Sequence, residues 1–190
     1  MLIFEARTKG GDNTTQMSRT VLRKGSLLVF CLGLVLGLAE AAQAQQTGPA
    51  TGLQVPRYVS LKYDRVNLRE GPSREHRTSW VFQRAGLPIE ITAEFENWRR
   101  VRDSEGTEGW VLQTVLSGRR TALVAPWKKD GLMVLQAKAG SGEMIARLQP
   151  GVIANIKSCD DKFCHIFGDG YDGYIEKISL WGVYPDEKIP

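Results

Sequence analysis

Histidine and cysteine, which supply many nucleophiles, bases and metal ligands, are scarce in this sequence. Its 190 residues include two histidines, His76 and His165, and three cysteines, Cys31, Cys159 and Cys164. Covalent hydrolysis requires a nucleophile with a base and an orienting group beside it. No Gly-x-Ser-x-Gly elbow, His-Glu-x-x-His pair or phosphate-binding loop is present either. We therefore expect no catalytic residues, no enzyme activity and no cofactor.

The most apolar run of the sequence, residues 25–39, is too short to span a bilayer comfortably. It has 15 residues, whereas a spanning helix needs about 20. Arg23-Lys24 precedes it, and Ala42-Gln43-Ala44 offers small residues at the spacing that signal peptidase cleaves. We expect residues 1–44 to be a signal peptide, with translation starting at Met17. The mature protein would then be periplasmic or secreted and would meet the membrane only before cleavage; a permanent anchor is the alternative.

A strong charge of one sign is also missing. Without the five Lys/Arg and three Asp/Glu of the leader, 20 basic and 18 acidic residues remain, a net charge of about +2. Such a mixed surface differs from the basic stripe of a nucleic-acid binder, so we expect no nucleic-acid partner. Removing 44 residues leaves 146, enough for one ordinary domain or two very small ones.

Long helical periods are absent as well. From residue 57 onward, short β-rich runs alternate with Gly, Pro, Asn and Asp at intervals of about ten residues, which is typical of small all-β barrels. Residues 45–56 are mostly Gln, Thr, Gly, Pro and Ala, a composition that predicts a disordered linker. The strands predicted in the first half are 58–63, 66–68, 80–83, 89–95, 98–101 and 109–111.

The second half of the mature chain repeats the first. From Gly86 and Gly151 to the ends, equivalent residues stay 64 or 65 positions apart. This predicts two tandem domains, residues 57–119 and 120–185, followed by a tail at 186–190. Because each copy has only about 60 residues, near the lower limit for an independent core, we expect the two to pack closely. The equivalent pairs include Leu68 and Leu135, Ile91 and Ile156, Trp98 and Phe163, Val101 and Ile166, and Trp110 and Tyr174.

Strand alternation separates the expected interior from the expected surface. Side chains at every second position of a strand fill the inside of a small barrel. Carboxylate pairs such as Glu94 and Glu96 are expected on the solvated surface. The residues expected to point inward are Leu68, Ile89, Ile91, Val101 and Val111.

Cys159 and Cys164 are separated by four residues in a chain expected to reach an oxidising compartment, which favours a disulfide. A metal site formed with His165 is the alternative, but it lacks the distant second pair of ligands of a structural zinc site. A bond across so short a loop is expected to fix a hairpin rather than to hold the whole fold together.

Motifs of the first copy have the order and spacing of a known family. They are Val66-Asn67-Leu68-Arg69-Glu70-Gly71-Pro72-Ser73, Gly86 before a strand, Trp98-Arg99-Arg100-Val101 and Gly109-Trp110-Val111. They resemble the bacterial SH3 domain (SH3b), in particular the SH3-like group of exported proteobacterial proteins. In the second copy, residues 135–139 lack the Asn, the Arg and the Gly-Pro, and Tyr174 replaces the Trp. Its cysteine pair is nevertheless similar to the hairpin cysteine pair of that group.

The resemblance implies an all-β fold of two tandem small SH3-like barrels. It further implies a non-catalytic extracytoplasmic module that recognises peptidoglycan peptides or a protein segment. The ligand groove would be formed by Tyr63, Asn67, Arg69, Trp98 and Trp110.

Each of these site residues also has a structural alternative. The two tryptophans could pack in the core, and Asn67 and Arg69 could bond to the loop that Gly71-Pro72 turns. The alternative function is that of an interaction protein, whose barrels dock on another envelope protein through the inter-repeat face or a free strand edge.

Overall fold

The computed structural model describes residues 46–190 of the chain. The signal peptide expected at 1–44, with its start at Met17 and its cleavage site after Ala44, lies outside the described residues. Within the described part, no helix is both long enough and apolar enough to cross a bilayer.

Short antiparallel strands make up most of residues 46–190. β1 (Gln46–Thr47) and β2 (Gln54–Val55) form a small hairpin. The first large sheet contains β3 (Arg57–Leu61), β4 (Val66–Arg69), β5 (Thr78–Phe82), β6 (Pro88–Phe95), β7 (Trp98–Arg102), β8 (Glu108–Leu112) and β9 (Leu116–Ser117). The second contains β10 (Thr121–Val124), β11 (Met133–Gln136), β12 (Met144–Leu148), β13 (Ile153–Cys159), β14 (Phe163–Gly168), β15 (Tyr171–Glu176) and β16 (Leu180–Trp181). A turn of 3-10 helix, at Gln113–Val115 and at Lys177–Ser179, precedes the last strand of each sheet.

The two large sheets have the same strand order. The first runs β5-β4-β8-β7-β6-β3-β9 and the second β12-β11-β15-β14-β13-β10-β16, so that every strand of the second sheet corresponds to the strand seven earlier. Arg69 stands opposite Trp110 in the first sheet, as Gln136 stands opposite Tyr174 in the second. The predicted all-β fold of two tandem repeats is therefore confirmed.

Each repeat has its own apolar core. The five residues expected to point inward in the first repeat are all at most 2% exposed, and Leu61 joins them. The core of the second repeat is built around Leu135, Ile166 and Ile175, each at most 1% exposed. Alternation along the strands thus identified the interior of the first barrel correctly.

In each core, a glycine packs against a leucine of the neighbouring strand. A Cβ placed on Gly109 would lie 2.6 Å from Leu68 Cγ and 2.8 Å from the carbonyl oxygen of Arg69. The equivalent Gly173 would meet Leu135 Cγ at 2.9 Å and the Gln136 carbonyl at 2.8 Å. The repeated glycine therefore lets a leucine of the neighbouring strand pack directly onto the backbone.

Gly109→Ala should for this reason destabilise the protein by about 1–3 kcal/mol, the usual cost of overpacking a close-packed core. Urea unfolding of the variant measures the loss. Gly118→Ala is the matched control, because a Cβ at Gly118 meets nothing within 4 Å. Equal midpoints for the two variants would contradict the packing role of Gly109.

The segment expected to be a disordered linker, residues 45–56, is instead ordered from Gln46 onward. Its hairpin docks on the first barrel through Glu94, whose carboxylate accepts hydrogen bonds from the Ala50 amide (3.1 Å), the Thr51 amide (2.9 Å) and the Thr51 hydroxyl (2.7 Å). The expectation that Glu94 lies on the solvated surface is also wrong, since its side chain is 0% exposed. The carboxylate of Glu94, far from this hairpin in sequence, thus accepts the hydrogen bonds that the Ala50 and Thr51 amides would otherwise make to water.

Two arginines complete the surroundings of Glu94. Arg57 Nη2 lies 2.7 Å and Arg99 Nε 3.5 Å from the same carboxylate oxygen. Burial alone would raise the pKa of Glu94, but the hydrogen bonds from Thr51 and Arg57 and the charge of Arg99 outweigh it and lower the pKa to about 2. Glu94 is therefore ionised over the whole physiological range.

The two repeats meet at a pair of buried hydroxyl groups. Ser60 Oγ and Thr121 Oγ1 lie 2.6 Å apart, and Thr121 also contacts the carbonyl of Gly86 at 2.7 Å. Ser60 Oγ lies 2.6 Å from the carbonyl oxygen of Arg119, in the short connection between the repeats. Close packing of the two copies, expected from their small size, is thus confirmed.

Residues after β16 add a second contact between the repeats. The Tyr184 hydroxyl donates to Glu90 Oε1 of the first repeat at 2.7 Å, and its ring centroid lies 4.6 Å from that of Tyr58. Burial and the neighbouring Glu90 carboxylate raise the pKa of both tyrosines. Tyr184 therefore stays neutral and keeps the proton that it donates across the interface.

Candidate functional site

A groove of about 300 Å³ crosses the outer face of the first barrel. It brings together three of the residues predicted from the sequence, Asn67, Arg69 and Trp98. Its full lining is Arg65, Val66, Asn67, Arg69, Arg74, Trp98, Leu112 and Val115.

Strand alternation explains how the groove forms. In β4, Val66 and Leu68 are buried, so Asn67 and Arg69 between and beyond them face outward. Trp98 of β7 stands opposite Leu112 of β8. The Trp98 side chain is only 8% exposed, so its ring is part of the protein interior and at the same time the floor of the groove. Trp98 thus packs in the interior and also lines the groove, while its contact with a ligand stays a prediction.

Tyr63 and Trp110 do not line this groove. Tyr63 is 48% exposed in the bend between β3 and β4, with the Lys62 ammonium 5.4 Å from its ring centroid. Trp110 is half-buried and stands opposite Arg69 and Arg100 in the sheet. Trp110 and Leu112 are two residues apart in β8, so both side chains lie on the outer face of the sheet. Only Leu112 lines the groove.

Arg69 has the structural contact expected for it. Its Nη1 donates to the carbonyl oxygen of His76 at 2.7 Å, which ties β4 to the loop after Gly71. His76 lies against Gly71, where an added Cβ would approach the imidazole ring to 2.4 Å. The contact restrains the guanidinium of Arg69, which also lines the groove.

Five lining residues were not predicted from the sequence: the apolar Val66, Leu112 and Val115, and two arginines, Arg65 and Arg74. Arg65 immediately precedes the Val66–Ser73 motif and Arg74 immediately follows it. Both lie outside strands, where no alternation indicates the direction of a side chain. Their nearness to the motif was the only available signal, and it does not by itself distinguish a groove arginine from a solvated one.

The second barrel has different chemistry at the equivalent place. Phe163 stands where the first barrel has Trp98, and Gln136 where it has Arg69. Phe163 lines a concavity of about 520 Å³ together with Ile178, which is 81% exposed. The remaining lining residues are Asp161, Lys162, Glu176, Lys177, Leu180, Val183 and Pro185.

An arginine–carboxylate pair on the outer face of the first barrel corresponds to a histidine–carboxylate pair in the second barrel. In the first barrel, Arg100 Nη2 lies 2.6 Å from Glu108. At the corresponding positions, His165 Nε2 lies 2.5 Å from Asp172 and its ring stacks on Tyr174 at 4.4 Å. The hydrogen bond to His165 lowers the pKa of Asp172.

Cys159 and Cys164 form the expected disulfide. The two residues face each other in the β13–β14 pair, and Asp160 Oδ1 closes the loop by accepting hydrogen bonds from the Lys162 and Phe163 amides. The bond therefore fixes a hairpin, as expected. In this structure both sulfurs are bonded to each other, so they do not form the alternative metal site with His165.

A larger cleft of about 710 Å³ lies between the two repeats. Its walls come from β5 and the turn after β7 on one side, and from the loops that follow β10 and β12 on the other. Trp80, which is 54% exposed, and Leu132, which is 47% exposed, stand in its lining. Trp127 is equally exposed at 56% but is not part of the lining.

Fold and groove together define a tandem small-barrel protein with a polar, aromatic-floored groove on its first barrel. A family model described as a bacterial SH3 domain matches the chain twice, over residues 62–118 and 128–182. These matches cover more than half of the chain, which belongs to the bacterial SH3 domain family.

Solved structures include two chains similar to this one, NlpC2 and NlpC1 from Trichomonas vaginalis. NlpC2 is 16% identical, with a TM-score of 0.31 over 68% of this chain and 49% of that chain. NlpC1 is 15% identical, with a TM-score of 0.31 over 70% of this chain and 48% of that chain. This chain thus spans about half the length of either. No curated protein matches it.

Proposed function

We propose that this protein is an exported, non-catalytic binding module of the cell envelope, whose first barrel holds a peptide of the cell wall. The observation that carries the proposal is the groove that collects Asn67, Arg69 and Trp98 on one outward face. Membership of the bacterial SH3 domain family supports it, because such domains commonly serve as cell-wall binding modules. Export is supported by the composition of residues 1–44.

The residues that line the groove are suited to non-covalent binding of a ligand. Arg65, Arg69, Arg74 and Asn67 offer hydrogen-bond donors to a ligand. Trp98 supplies an apolar floor against which a ligand backbone or side chain can lie. Shallow recognition surfaces commonly combine such an aromatic anchor with a polar rim.

Cosedimentation of the purified protein with cell-wall sacculi tests the proposal. We expect the unaltered protein to be retained and Asn67→Ala to lose several-fold of that retention, because Asn67 is exposed in the groove and removing its amide leaves the core intact. Trp98→Ala is a poorer probe, since the ring is largely buried. Gln83→Ala, an exposed amide outside the groove, is the control. Failure of the unaltered protein to sediment with sacculi would refute wall binding.

The cleft between the repeats favours a second candidate function, docking on another protein of the envelope. Half-exposed Trp80 lies on β5, which ends the first sheet and pairs only with β4 among the described residues. A free edge beside an exposed aromatic ring can accept an extended partner segment. A photo-crosslinker at position 80 should then give one defined adduct in cells, and one at position 127 should not. Equal labelling from both positions would argue against docking.

A further inference from the structure

We propose that the groove of the first barrel recognises its ligand through carboxylate groups, held by Arg65, Arg69 and Arg74. This inference rests on the proposed function, since it concerns the same groove, and it specifies the chemistry of the peptide that binds there. The ligand would carry at least two carboxylates, as a cell-wall peptide with an acidic side chain and a free carboxyl end does.

The first argument is the pattern of ion pairs. Five of the ten arginines of the first barrel have a glutamate within 4 Å, whereas none of the three groove arginines has a carboxylate at that distance among residues 46–190. The paired arginines of the described chain are Arg57, Arg77, Arg99, Arg100, Arg102 and Arg120. Three of the five arginines of the first barrel that have no such partner among the described residues thus lie together in the groove; the other two are Arg84 and Arg119.

The acidic residues nearest in sequence do not change this picture. Asp64 precedes Arg65 and Glu75 follows Arg74, yet neither lines the groove and neither forms an ion pair within the described residues. Glu70 is also close in sequence, but it pairs with Arg77, which lies outside the lining. No carboxylate of the described residues lines the groove, which leaves its guanidinium groups available to the carboxylates of a ligand.

The second argument is the geometry of the donors. The bond to the His76 carbonyl uses one nitrogen of Arg69 and leaves the other N–H groups of the guanidinium available to a ligand. A guanidinium matches a carboxylate through two parallel hydrogen bonds. The apolar lining residues Trp98, Leu112 and Val115 lie beside these donors, and a less polar surrounding strengthens charge-assisted bonds.

The second barrel provides an internal contrast. Gln136 occupies the position of Arg69, and Val134, two residues before it, the position of Asn67. The concavity around Phe163 includes two carboxylates of its own, Asp161 and Glu176, and no arginine. Carboxylate recognition is therefore assigned to the first barrel alone.

The decisive experiment compares native sacculi with sacculi whose carboxylates have been converted to amides by carbodiimide and ammonia. Losing two charge-assisted contacts should lower retention of the unaltered protein about tenfold or more on amidated sacculi. The double variant Arg65→Gln/Arg74→Gln should bind native sacculi as weakly as the unaltered protein binds amidated ones. Arg119→Gln, which removes the charge of an exposed arginine outside the groove, should behave like the unaltered protein.

The outcomes separate this inference from the function on which it rests. Equal retention on native and amidated sacculi would overturn carboxylate recognition while leaving wall binding in place. Absence of retention on native sacculi would contradict wall binding, and titration calorimetry with the dipeptide Ala-Glu and its amidated form then decides the inference. Binding of Ala-Glu alone, lost in the double variant, supports it; binding of both forms or of neither overturns it. Circular dichroism checks that every variant is folded.

Discussion

Glu94→Ala should lower the free energy of unfolding by about 3–5 kcal/mol, the loss expected when one partner of a buried ion pair is removed. The substitution leaves Arg99, whose side chain is 2% exposed, without its carboxylate, and Arg57 with only the Gln54 carbonyl. It also removes the acceptor of the Ala50 and Thr51 amides. Chemical denaturation measures the loss, and faster amide exchange in residues 46–55 should accompany it as the hairpin detaches.

A surface pair provides the control for this result. Glu108→Ala also removes a carboxylate that faces an arginine, Arg100, but the two side chains are 34% and 49% exposed. Water can solvate the remaining charge there, so we expect a loss of at most about 1 kcal/mol. Similar decreases in the free energy of unfolding for Glu94→Ala and Glu108→Ala would show that the buried carboxylate does not hold the β1–β2 hairpin against the first barrel.

The same carboxylate predicts a dependence of stability on pH. The pKa of Glu94 falls from an ordinary value of 4.5 to about 2 in the folded protein. The unfolded chain therefore takes up the proton first, and the stabilisation by Glu94 is complete above pH 4.5 and is lost as the pH falls toward 2. In Glu94→Gln this part of the acid destabilisation should be absent, which a series of unfolding curves between pH 2 and 6 would reveal.

Leu135→Ala should cost about 2–5 kcal/mol, because it removes a side chain that is fully buried at the centre of the second core. Val134→Ala, at the neighbouring position of the same strand, is the control. Val134 is 43% exposed, so its truncation should change stability by about 0.5 kcal/mol or less. Urea denaturation of the two variants measures both effects.

Leu135→Ala should also destabilise the first repeat, in which no residue is changed. The buried contact of Ser60 with Thr121 and the hydrogen bond from Tyr184 to Glu90 join the repeats. We therefore expect a single unfolding transition and faster amide exchange in β6 and β7 of the variant. Unchanged exchange protection in the first repeat would show that the two barrels unfold independently.

The fold could be predicted because its signals are local or periodic. Buried Leu68 and Val101 alternate with outward residues along short strands, and the spacing of 64 or 65 residues between copies marks the duplication. The Cys159–Cys164 pair is close in sequence, so its hairpin position followed directly. Part of the groove could be predicted on the same basis, because alternation around Leu68 places Asn67 and Arg69 on the outer face.

The sequence by itself therefore determined the all-β class, the two repeats, the first core and the disulfide. Only the tertiary structure decided that Glu94 is buried, that residues 46–55 are ordered, and that Arg65 and Arg74 join the groove. Glu94 and Thr51 are 43 residues apart in the chain, and the groove combines side chains from β4, β7 and β8 with two loops and the 3-10 turn before β9. Alternation and spacing specify which way a strand residue points, but the pairing of charges and the course of loops depend on which distant residues the completed barrel brings together.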